Sequence, residues 1–269
     1  MSSKDLLVVK LGGGEGLDMA AACSDLAEIA AERSLVVVHG VSAAMNQLCG
    51  ERGIEVQSLT SPSGHSSRYT PPAVRDVYVC AAQQVNDGIV AALDVRGVCA
   101  RGLSGEDVVL WGERKRAIRA LVKGRVRMVR DDCSGTIRRV DAASLEEAIK
   151  VEHVPILPPM AKSDEGLLNV DGDRAAAAVA GALGAGALVI LSNVRGLYRD
   201  FPDEGSFVKK VKLTHIDDAL DWAQGRMKRK VLAAQEALTQ DVERVIIADG
   251  RAPNAISQAL AGAGTWFAR

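Results

Sequence analysis

Apolar runs that end in glycine or a polar loop, and that alternate with stretches of helical spacing, most restrict the folds open to this chain. Residues 6–11 (LLVVKL), 35–38, 187–191 and 245–248 are runs of this kind. They are apolar at consecutive positions rather than at every second one, which indicates strands buried on both faces of a parallel sheet. The sequence therefore predicts an α/β protein, a three-layer α-β-α sandwich around a mainly parallel sheet.

The composition limits the class of protein further. The chain has 269 residues, of which 48% are hydrophobic and 25% charged, and its formal net charge is −1. This balance is typical of a globular protein with a large core, and a chain without a basic excess is not expected to bind nucleic acid. The first apolar run is too short for a signal peptide, and no other run approaches the roughly 20 residues of a membrane helix. We expect a cytoplasmic protein without a nucleic-acid or membrane partner.

The cysteines indicate neither disulfides nor a metal site. None of the five cysteines belongs to a CxxC pair: Cys23, Cys49, Cys80, Cys99 and Cys133. An odd number of scattered cysteines fits neither a disulfide framework nor the ligand spacing of a zinc site. We expect reduced thiols and no metal bound by protein ligands.

The first apolar run contains a lysine near its end and is followed by three glycines. Lys10 is the last residue but one of this predicted strand, and Gly12, Gly13 and Gly14 come after it. Ligands bind at the carboxyl ends of parallel strands, where glycines let backbone N–H groups approach an anion and a lysine adds positive charge. The pattern favours a phosphate site. It is not the P-loop motif GxxxxGK[ST], and a tight turn with a surface lysine remains the alternative.

Charged residues also stand at the start of two predicted helices. In the segment NVDGD, Asp171 can cap the helix, but capping does not explain Asn169 or Asp173. Asp173 lies in the first turn, where it can hold lysine side chains at defined angles. In the segment GRMKRKV, Lys228 and Lys230 stand near the positive end of the helix dipole, where cations often await an anion. A solvated basic turn is the alternative here.

One segment in the middle of the chain is strongly basic. It contains eight cations with no acid between them: Arg114, Lys115, Arg116, Arg119, Lys123, Arg125, Arg127 and Arg130. If the segment forms a β-hairpin, alternation of side chains places Arg125 and Arg127 on one face. Such a patch would steer an acidic protein onto it, whereas an ordinary solvated face or a nucleic-acid contact would have the same composition.

Taken in order, the motifs resemble those of the amino-acid kinase superfamily, in its acetylglutamate kinase branch, over essentially the whole chain. They are KLGG at 10–13, HG at 39–40, SR at 67–68, PP at 158–159, NVDGD at 169–173, LSNVRGLY at 191–198, GRMKRKV at 225–231 and GxGT at 262–265. The combination of PSGHSSRYT, CSGT, LSNVRGL, AQGRMKRKV and ADGR is similar to that of kinases whose amino-acid substrate is held by a small acidic carrier protein. The resemblance implies the carbamate kinase-like fold.

The resemblance also implies a reaction. The side-chain carboxylate of 2-aminoadipate or glutamate, held on the carrier by its amino group, attacks the γ-phosphate of ATP and gives an acyl phosphate and ADP. Mg²⁺ would be bound mainly through the ATP phosphates, and 2-aminoadipate is favoured as substrate, in lysine or related ornithine and arginine biosynthesis. Two alternatives are a kinase of free N-acetylglutamate in arginine biosynthesis and a catalytically silent nucleotide-binding regulator. Family members are commonly dimers, so a homodimer is implied.

Individual residues receive roles from the same resemblance, motif by motif. The catalytic residues would be Lys10, Asp173 and Lys230. The nucleotide would be bound by Gly12, Gly13, Asn193, Tyr198 and Lys228. The amino-acid substrate would be bound by Gly40, Val41, Arg68 and Asn169. The carrier would dock on Arg116, Arg119, Lys123, Arg125 and Arg127.

Three positions depart from the usual family pattern. Where acetylglutamate kinases commonly have HGGG, this chain has a valine at position 41 and a serine at position 42. A β-branched residue seldom takes a positive φ, so the backbone N–H of Val41 is in question as a ligand of the substrate. Where the nucleotide loop of the family usually has an aspartate, this chain has Asn193. The carrier-dependent members resemble this chain in having asparagine there.

The two prolines at positions 158 and 159 indicate a change of structural unit, because proline cannot donate to a strand ladder. We expect an N-terminal lobe of residues 1–162 that binds the amino-acid substrate and the carrier and forms the dimer. A C-terminal lobe of residues 163–269 would bind ATP.

Overall fold

The computed structural model describes residues 5–14, 16–62, 64, 66–122 and 125–269. Its helices are α1 (Met19–Ala30), α2 (Ser42–Glu51), α3 (Pro72–Asp94), α4 (Ala142–Lys150), α5 (Gly172–Ala182), α6 (Ile216–Trp222), α7 (Arg226–Thr239) and α8 (Ala255–Leu260). None of the helices in these residues has the length and apolar character needed to cross a membrane.

The first nine strands are β1 (Leu7–Leu11), β2 (Leu35–His39), β3 (Ser58–Thr60), β4 (Ser66–Arg68), β5 (Ala100–Gly102), β6 (Leu110–Arg114), β7 (Ile118–Val122), β8 (Arg125–Val129) and β9 (Gly135–Val140). The others are β10 (Val154–Leu157), β11 (Met160–Ser163), β12 (Gly166–Asn169), β13 (Ala187–Ser192), β14 (Leu197–Tyr198), β15 (Phe207–Val208), β16 (Lys210–Lys212), β17 (Arg244–Asp249) and β18 (Thr265–Ala268).

An eight-stranded sheet forms the centre of the fold, in the order β16-β18-β17-β13-β1-β2-β10-β5. The pairing of β17 with β18 is antiparallel, and the other pairings in this sheet are parallel. Its four apolar runs are the strands β1, β2, β13 and β17. The predicted mainly parallel sheet is therefore confirmed.

Helices cover both faces of this sheet. Along β1, Val8 packs into the core on one side, with α2, α5 and α7. Leu7, Val9 and Leu11 pack into the core on the other side, with α1 and α8. Because fully burying one aliphatic side chain contributes about 1.5–3 kcal/mol, two continuous apolar layers explain why these strands are apolar at consecutive positions. The predicted three-layer arrangement is confirmed.

A smaller sheet and two hairpins extend the half of the molecule that contains β2, β10 and β5. The smaller sheet has the order β12-β11-β6-β9, and the hairpins pair β3 with β4 and β7 with β8. The basic segment does form a hairpin, the condition under which the sequence placed Arg125 and Arg127 on one face, with Leu121 opposite Val126 and Arg119 opposite Met128.

The start of α2 differs in detail from a sequence-based expectation. Ser42 has the residue type of an N-cap, but the helix begins at Ser42 itself and Val41 occupies the capping position without a side-chain bond. The backbone of the glycine segment supplies a partner instead, since Ala43 N donates to Gly13 O at 2.7 Å. Long-range backbone contact therefore replaces the serine cap that local sequence favours.

Candidate active site

The carboxyl ends of the central strands open into a cavity of about 910 Å³. Residues from both halves of the sheet line it, among them Lys10 near the end of β1, Gly40 after β2 and Ser192 at the end of β13. The first turns of α5 and α7 also line it. Strand ends and helix N-termini bring polar backbone groups to this edge of a parallel sheet, so the cavity is the candidate active site.

A buried cluster of two lysines and one aspartate lies in this cavity. Lys10 Nζ is 2.9 Å from Asp173 Oδ1, and Lys230 Nζ is 2.9 Å from Asp173 Oδ2. The three residues are only 8%, 7% and 8% exposed, in the order Lys10, Asp173 and Lys230. Two ammonium groups share one carboxylate, which leaves a positive charge at the cluster for an anionic ligand.

The charge of the aspartate is firmly held. Burial alone would raise the pKa of Asp173, but attraction and hydrogen bonds from Lys10 and Lys230 hold it below its ordinary value. Burial, and next the charge of Lys10, lower the pKa of Lys230. Asp173 is therefore an ionised anchor between two cations and is not suited to act as a proton donor.

Helix capping explains how Asp173 reaches this position. Asp171 Oδ1 accepts hydrogen bonds from Asp173 N at 3.0 Å and Arg174 N at 3.1 Å, so Asp171 is the predicted N-cap of α5. Its other oxygen lies 3.4 Å from Arg229 Nη1 on α7. The cap thus connects the helices that carry Asp173 and Lys230, and Arg229 is a cavity residue that sequence analysis missed.

The two glycine segments touch each other. A Cβ atom added at Gly13 would lie 2.3 Å from Gly40 C, and one added at Gly40 would lie 2.4 Å from Gly13 N. This contact requires glycine at both positions for steric reasons, a requirement that phosphate binding alone does not reveal. Gly40 is one of the residues predicted to bind the amino-acid substrate. Its backbone N–H is already engaged within the protein, because it donates to Leu11 O at 3.0 Å.

Val41 adopts an ordinary backbone conformation. Its φ is −126°, so this position does not require the positive φ that a valine resists. Its side chain is buried in the core, although the residue also lines the cavity. Valine is therefore accommodated without strain.

Arg68 and Asn169 lie together on the side of the cavity next to the smaller sheet. Arg68 Nη2 donates to Asn46 Oδ1 at 2.6 Å, while its buried Nη1 has no hydrogen-bond partner among the described residues. Asn169 Nδ2 donates to Thr70 Oγ1 at 3.0 Å. The unpartnered Nη1 makes Arg68 a candidate ligand for a carboxylate.

A buried aspartate that sequence analysis missed holds this side in place. Asp132 accepts hydrogen bonds from Thr70 N and Ser134 N, each at 2.8 Å. Cys133 N donates to Thr70 O at 2.7 Å, and Asn169 N donates to Cys133 O at 2.9 Å. The two adjacent acids that close an otherwise basic segment were the available signal for this residue.

The opposite side of the cavity is lined by Asn193 and Tyr198. Tyr198 Oη donates to Glu204 Oε1 at 2.9 Å, and burial raises the pKa of Tyr198. Thr265 joins this loop to the final GxGT motif, since its hydroxyl accepts from Leu197 N at 2.8 Å and donates to Val208 O at 2.6 Å. Gly12 and Gly13 line the cavity as well.

Lys228 is placed differently from the other predicted site residues. Its side chain is exposed, and it does not line the cavity. The neighbouring residues Arg226 and Arg229 do line it. Helical geometry explains the difference, because residues one or two positions apart face different sides of a helix.

The hairpin divides the basic segment between two faces. Arg125 and Arg127 share one face of the hairpin, as predicted, and Arg127 lies opposite the buried Ala120. Arg119 is opposite Met128 and therefore lies on the other face. The described arginines Arg116, Arg119, Arg125 and Arg127 are exposed, whereas Lys123 lies outside the described residues.

Comparison with solved structures defines the class of fold. The chain superposes on carbamate kinase from Giardia lamblia bound to AMP-PNP with a TM-score of 0.70, at 18% identity and covering 100% of both chains. It also superposes on N-acetylglutamate synthase from Neisseria gonorrhoeae with a TM-score of 0.80, at 24% identity, covering 99% of this chain and 60% of that longer chain. The fold is thus the predicted carbamate kinase-like fold.

Sequence comparison identifies the family. Residues 5–249 match the Amino acid kinase family, and the chain belongs to that family. A relative from Deinococcus radiodurans, named [LysW]-aminoadipate kinase, is 42% identical over 97% of this chain and 91% of its own length. A relative of the same name from Thermus thermophilus is 41% identical over 97% of this chain and 99% of its own length. The predicted family resemblance is confirmed.

Proposed function

We propose that this protein transfers the γ-phosphoryl group of ATP to the side-chain carboxylate of 2-aminoadipate, or of glutamate, held through its amino group on a small acidic carrier protein. The observation that carries the proposal is the buried Lys10–Asp173–Lys230 cluster in the main cavity. The names of the two relatives support the choice of acceptor, and 2-aminoadipate is favoured.

The reaction is an in-line displacement at phosphorus. An oxygen of the acceptor carboxylate forms a bond to the γ-phosphorus, while the bond from that phosphorus to the β-γ bridging oxygen breaks and ADP leaves with the electron pair. The acceptor is already ionised at neutral pH, so the step needs no general base. Catalysis then consists of positioning and of stabilising the charge on the transferred group.

The buried cluster is suited to that task. Lys10, near the end of β1, would neutralise the transferred phosphoryl group. Lys230 would neutralise the negative charge that develops on the leaving β-γ bridging oxygen. Asp173 would orient both ammonium groups. The backbone N–H groups of Gly13 and Val41 donate to no backbone carbonyl among the described residues, so they are free to bind phosphate oxygens. Preorganised donors of this kind need no rearrangement as the negative charge moves.

Mg²⁺ would enter with ATP, bound through the phosphate oxygens. Two lysines already engage the carboxylate of Asp173. Within the described ranges there is no group of three or more metal-ligating side chains. The ion would supply further charge neutralisation on the phosphates, while Lys10 and Lys230 contribute the protein's own cations.

The proposed roles divide between two sides of the cavity. Arg68 would bind the α-carboxylate of the acceptor, and Asn169 would bind the same end. Asn193 and Tyr198 would border the nucleotide. We propose a lobe of residues 1–162 for the amino-acid substrate, carrier binding and dimerisation, and a lobe of residues 163–269 that binds ATP and contributes Asn169 to the substrate site. We also propose a cytoplasmic homodimer.

Trapping of the acyl phosphate with hydroxylamine, in the presence of ATP and Mg²⁺, tests the proposal. The acceptors to compare are carrier-linked 2-aminoadipate, carrier-linked glutamate and free N-acetylglutamate. We expect strong turnover with a carrier-linked acid only. Turnover of free N-acetylglutamate alone would make the protein a kinase of the free amino acid, and no turnover of any acceptor would favour a silent nucleotide-binding protein.

A further inference from the structure

Two buried side-chain atoms at the main cavity lack a hydrogen-bond partner within the described part of the chain. They are Arg68 Nη1 and Ser134 Oγ. Arg68 is the proposed ligand of the α-carboxylate of the acceptor. Ser134 is only 7% exposed, and a hydroxyl that is buried without a partner lowers the stability of a folded protein. A bound ligand that pairs with this hydroxyl would remove that cost.

The main chain of Ser134 is held in place by several contacts. Its N–H donates to Asp132 Oδ1 at 2.8 Å, and its carbonyl accepts from Lys115 N at 3.0 Å. Ser134 also forms a parallel β-bridge with Asn169. Because the main chain is fixed in this way, the hydroxyl stays at the wall of the cavity.

The next residue, Gly135, explains why the serine side chain faces the cavity. A Cβ added at Gly135 would lie 2.7 Å from Leu168 Cδ1, and Leu168 is buried in the core. Consecutive residues of an extended chain point to opposite faces. Ser134 therefore points away from Leu168, towards the cavity that it lines.

Ser134 belongs to the same wall as the proposed acceptor ligands. Asp132, which accepts from Ser134 N, also accepts from Thr70 N at 2.8 Å. The hydroxyl of Thr70 accepts from Asn169 Nδ2 at 3.0 Å and donates to Arg68 O at 3.2 Å. Arg68, Asn169 and Ser134 are thus parts of one hydrogen-bonded network.

One polar group of the proposed acceptor still needs a ligand. The side-chain carboxylate of the acceptor meets the phosphoryl group, and its α-carboxylate meets Arg68. The remaining group is the amide formed by the acylated amino group, which has one donor and one acceptor. A serine hydroxyl also donates and accepts, so it can pair with an amide. A free amino acid has an ammonium group there, which the cations Arg68 and Lys115 in the same cavity would repel.

We propose that the Ser134 hydroxyl hydrogen-bonds the amide at the α-carbon of the acceptor and so favours an amino-acylated acid over the free amino acid. This inference rests on the proposed function. A site that is built to bind a polar group rejects analogues without that group, because its own buried atom then stays unpaired. In the free protein the hydroxyl of Ser134 is unpaired, and acceptor binding supplies its partner.

Stability measurements separate this role from a structural one. Ser134→Ala removes the hydroxyl, and Ser134→Thr keeps it. The matched control is Ser144→Ala on α4, outside the lining of the main cavity, where the hydroxyl donates to Asp141 Oδ2 at 2.9 Å. We expect Ser144→Ala to lower the midpoint of urea denaturation, because it breaks a hydrogen bond. Ser134→Ala should leave that midpoint unchanged or raise it, because it removes an unpaired hydroxyl.

Kinetics then test the contact with the amide. The quantities are KM for carrier-linked 2-aminoadipate, KM for ATP, and Ki for adipate, which has both carboxylates of this acceptor and no amide. We expect Ser134→Ala to raise KM for the carrier-linked acid about three- to tenfold, the effect of losing one neutral hydrogen bond. KM for ATP and Ki for adipate should not change. Ser134→Thr should retain KM close to that of the wild type.

The outcomes separate this proposal from the proposed function. If the wild type phosphorylates no carrier-linked acid, the proposed function fails, and the role of Ser134 fails with it. If the wild type does so and Ser134→Ala has the same KM, Ser134 does not bind the amide. A urea midpoint lowered as in Ser144→Ala would also overturn the proposal, because the hydroxyl would then have a partner in the free protein. So would equal rises in KM and in Ki for adipate, because they would place the loss at the carboxylates.

Discussion

At the residue scale, Asp173 is a buried residue whose two carboxylate oxygens each lie 2.9 Å from a lysine Nζ. We expect Asp173→Asn to lower kcat by about a hundredfold to a thousandfold, as for the loss of one transition-state ligand, because Lys10 and Lys230 lose their common anchor. The measurement is the initial rate of acyl-hydroxamate formation, with nucleotide affinity determined separately. Asp141→Asn, at the cap of α4, is the matched control. A rate within threefold of the wild type would remove Asp173 from the mechanism.

Gly13 and Gly14 allow a direct test of the glycine contact. A Cβ at Gly13 would collide with the backbone of Gly40, whereas a Cβ at Gly14 would have no atom within 4 Å. We expect Gly13→Ala to lower the free energy of unfolding by about 1–3 kcal/mol, the usual cost of overpacking, and Gly14→Ala to change it little. Urea denaturation of both variants measures the difference. Equal stability of the two variants would show that the backbone contact between Gly13 and Gly40 is not tight.

His39, the last residue of β2, makes the free energy of unfolding depend on pH. It is fully buried, Asn86 Nδ2 lies 3.2 Å from its Nε2, and burial lowers its pKa from 6.5 to about 4. Between these two values the unfolded chain binds a proton at this side chain and the folded protein does not. The stability contributed by neutral His39 is therefore present above pH 6.5 and is lost as the pH falls towards 4.

The His39→Gln variant removes this titration. We expect its free energy of unfolding to fall less steeply with acidification than that of the wild type, by up to about 1.4 kcal/mol per pH unit for one proton. Urea denaturation at several pH values between 6.5 and 4 measures the slope. His215→Gln, at an exposed histidine, should leave the slope unchanged. Identical slopes in all three proteins would contradict the assignment.

At the scale of elements, the β7–β8 hairpin separates residues that are equivalent in the sequence. Arg125 and Arg127 share the face of the buried Ala120, whereas Arg119 shares the other face with the exposed Met128. We expect charge reversal of Arg125 and Arg127 to Glu to raise KM for a carrier-linked acid by about tenfold or more, while KM for ATP is unchanged. Arg119→Glu reports on the other face. An equal loss on free small acceptors would exclude docking on this hairpin.

Much of the element structure was predictable from local signals. Consecutive apolar residues indicated β1, β2, β13 and β17, and an aspartate at the helix start indicated the cap of α5. Features set by distant parts of the chain were not predictable. The replacement of a serine cap by Gly13 O is one such feature, and the burial of Asp132 between Thr70 and Ser134 is another. In each case the deciding contact joins residues far apart in the sequence, which local patterns do not encode.

For the candidate site, the order of the motifs predicted that Lys10, Asp173 and Lys230 would lie together. It did not predict which cations of α7 face the cavity. Lys228 and Lys230 look alike in the sequence, but one is exposed and the other is buried against Asp173. Arg226 and Arg229 face the cavity instead of Lys228. The rotation of a helix about its axis decides which cation reaches the site, and the sequence of the first turn alone does not determine that rotation.

At the scale of the whole molecule, nucleotide binding should couple to folding stability. A ligand that binds the folded protein alone stabilises it by about 2.7 kcal/mol at a hundredfold excess over Kd. For a chain of this length, we expect AMP-PNP with Mg²⁺ to raise Tm by several degrees, about 2–4 °C per kcal/mol. Differential scanning fluorimetry measures the shift.

Lys230→Ala should reduce turnover far more than it reduces this shift in Tm, and an unchanged rate would remove Lys230 from the mechanism.

The cluster of Lys10, Asp173 and Lys230 has a consequence for how the site forms. Lys10 lies on strand β1 near the start of the chain, whereas Asp173 and Lys230 lie on helices α5 and α7. Asp173 and Lys230 without Lys10 would be a neutral pair, and Lys10 without them would be a cation with no carboxylate beside it. The net positive charge of the cluster is thus a property of the assembled molecule. It arises only when β1, α5 and α7 have packed together, so this charge and the completed fold appear together.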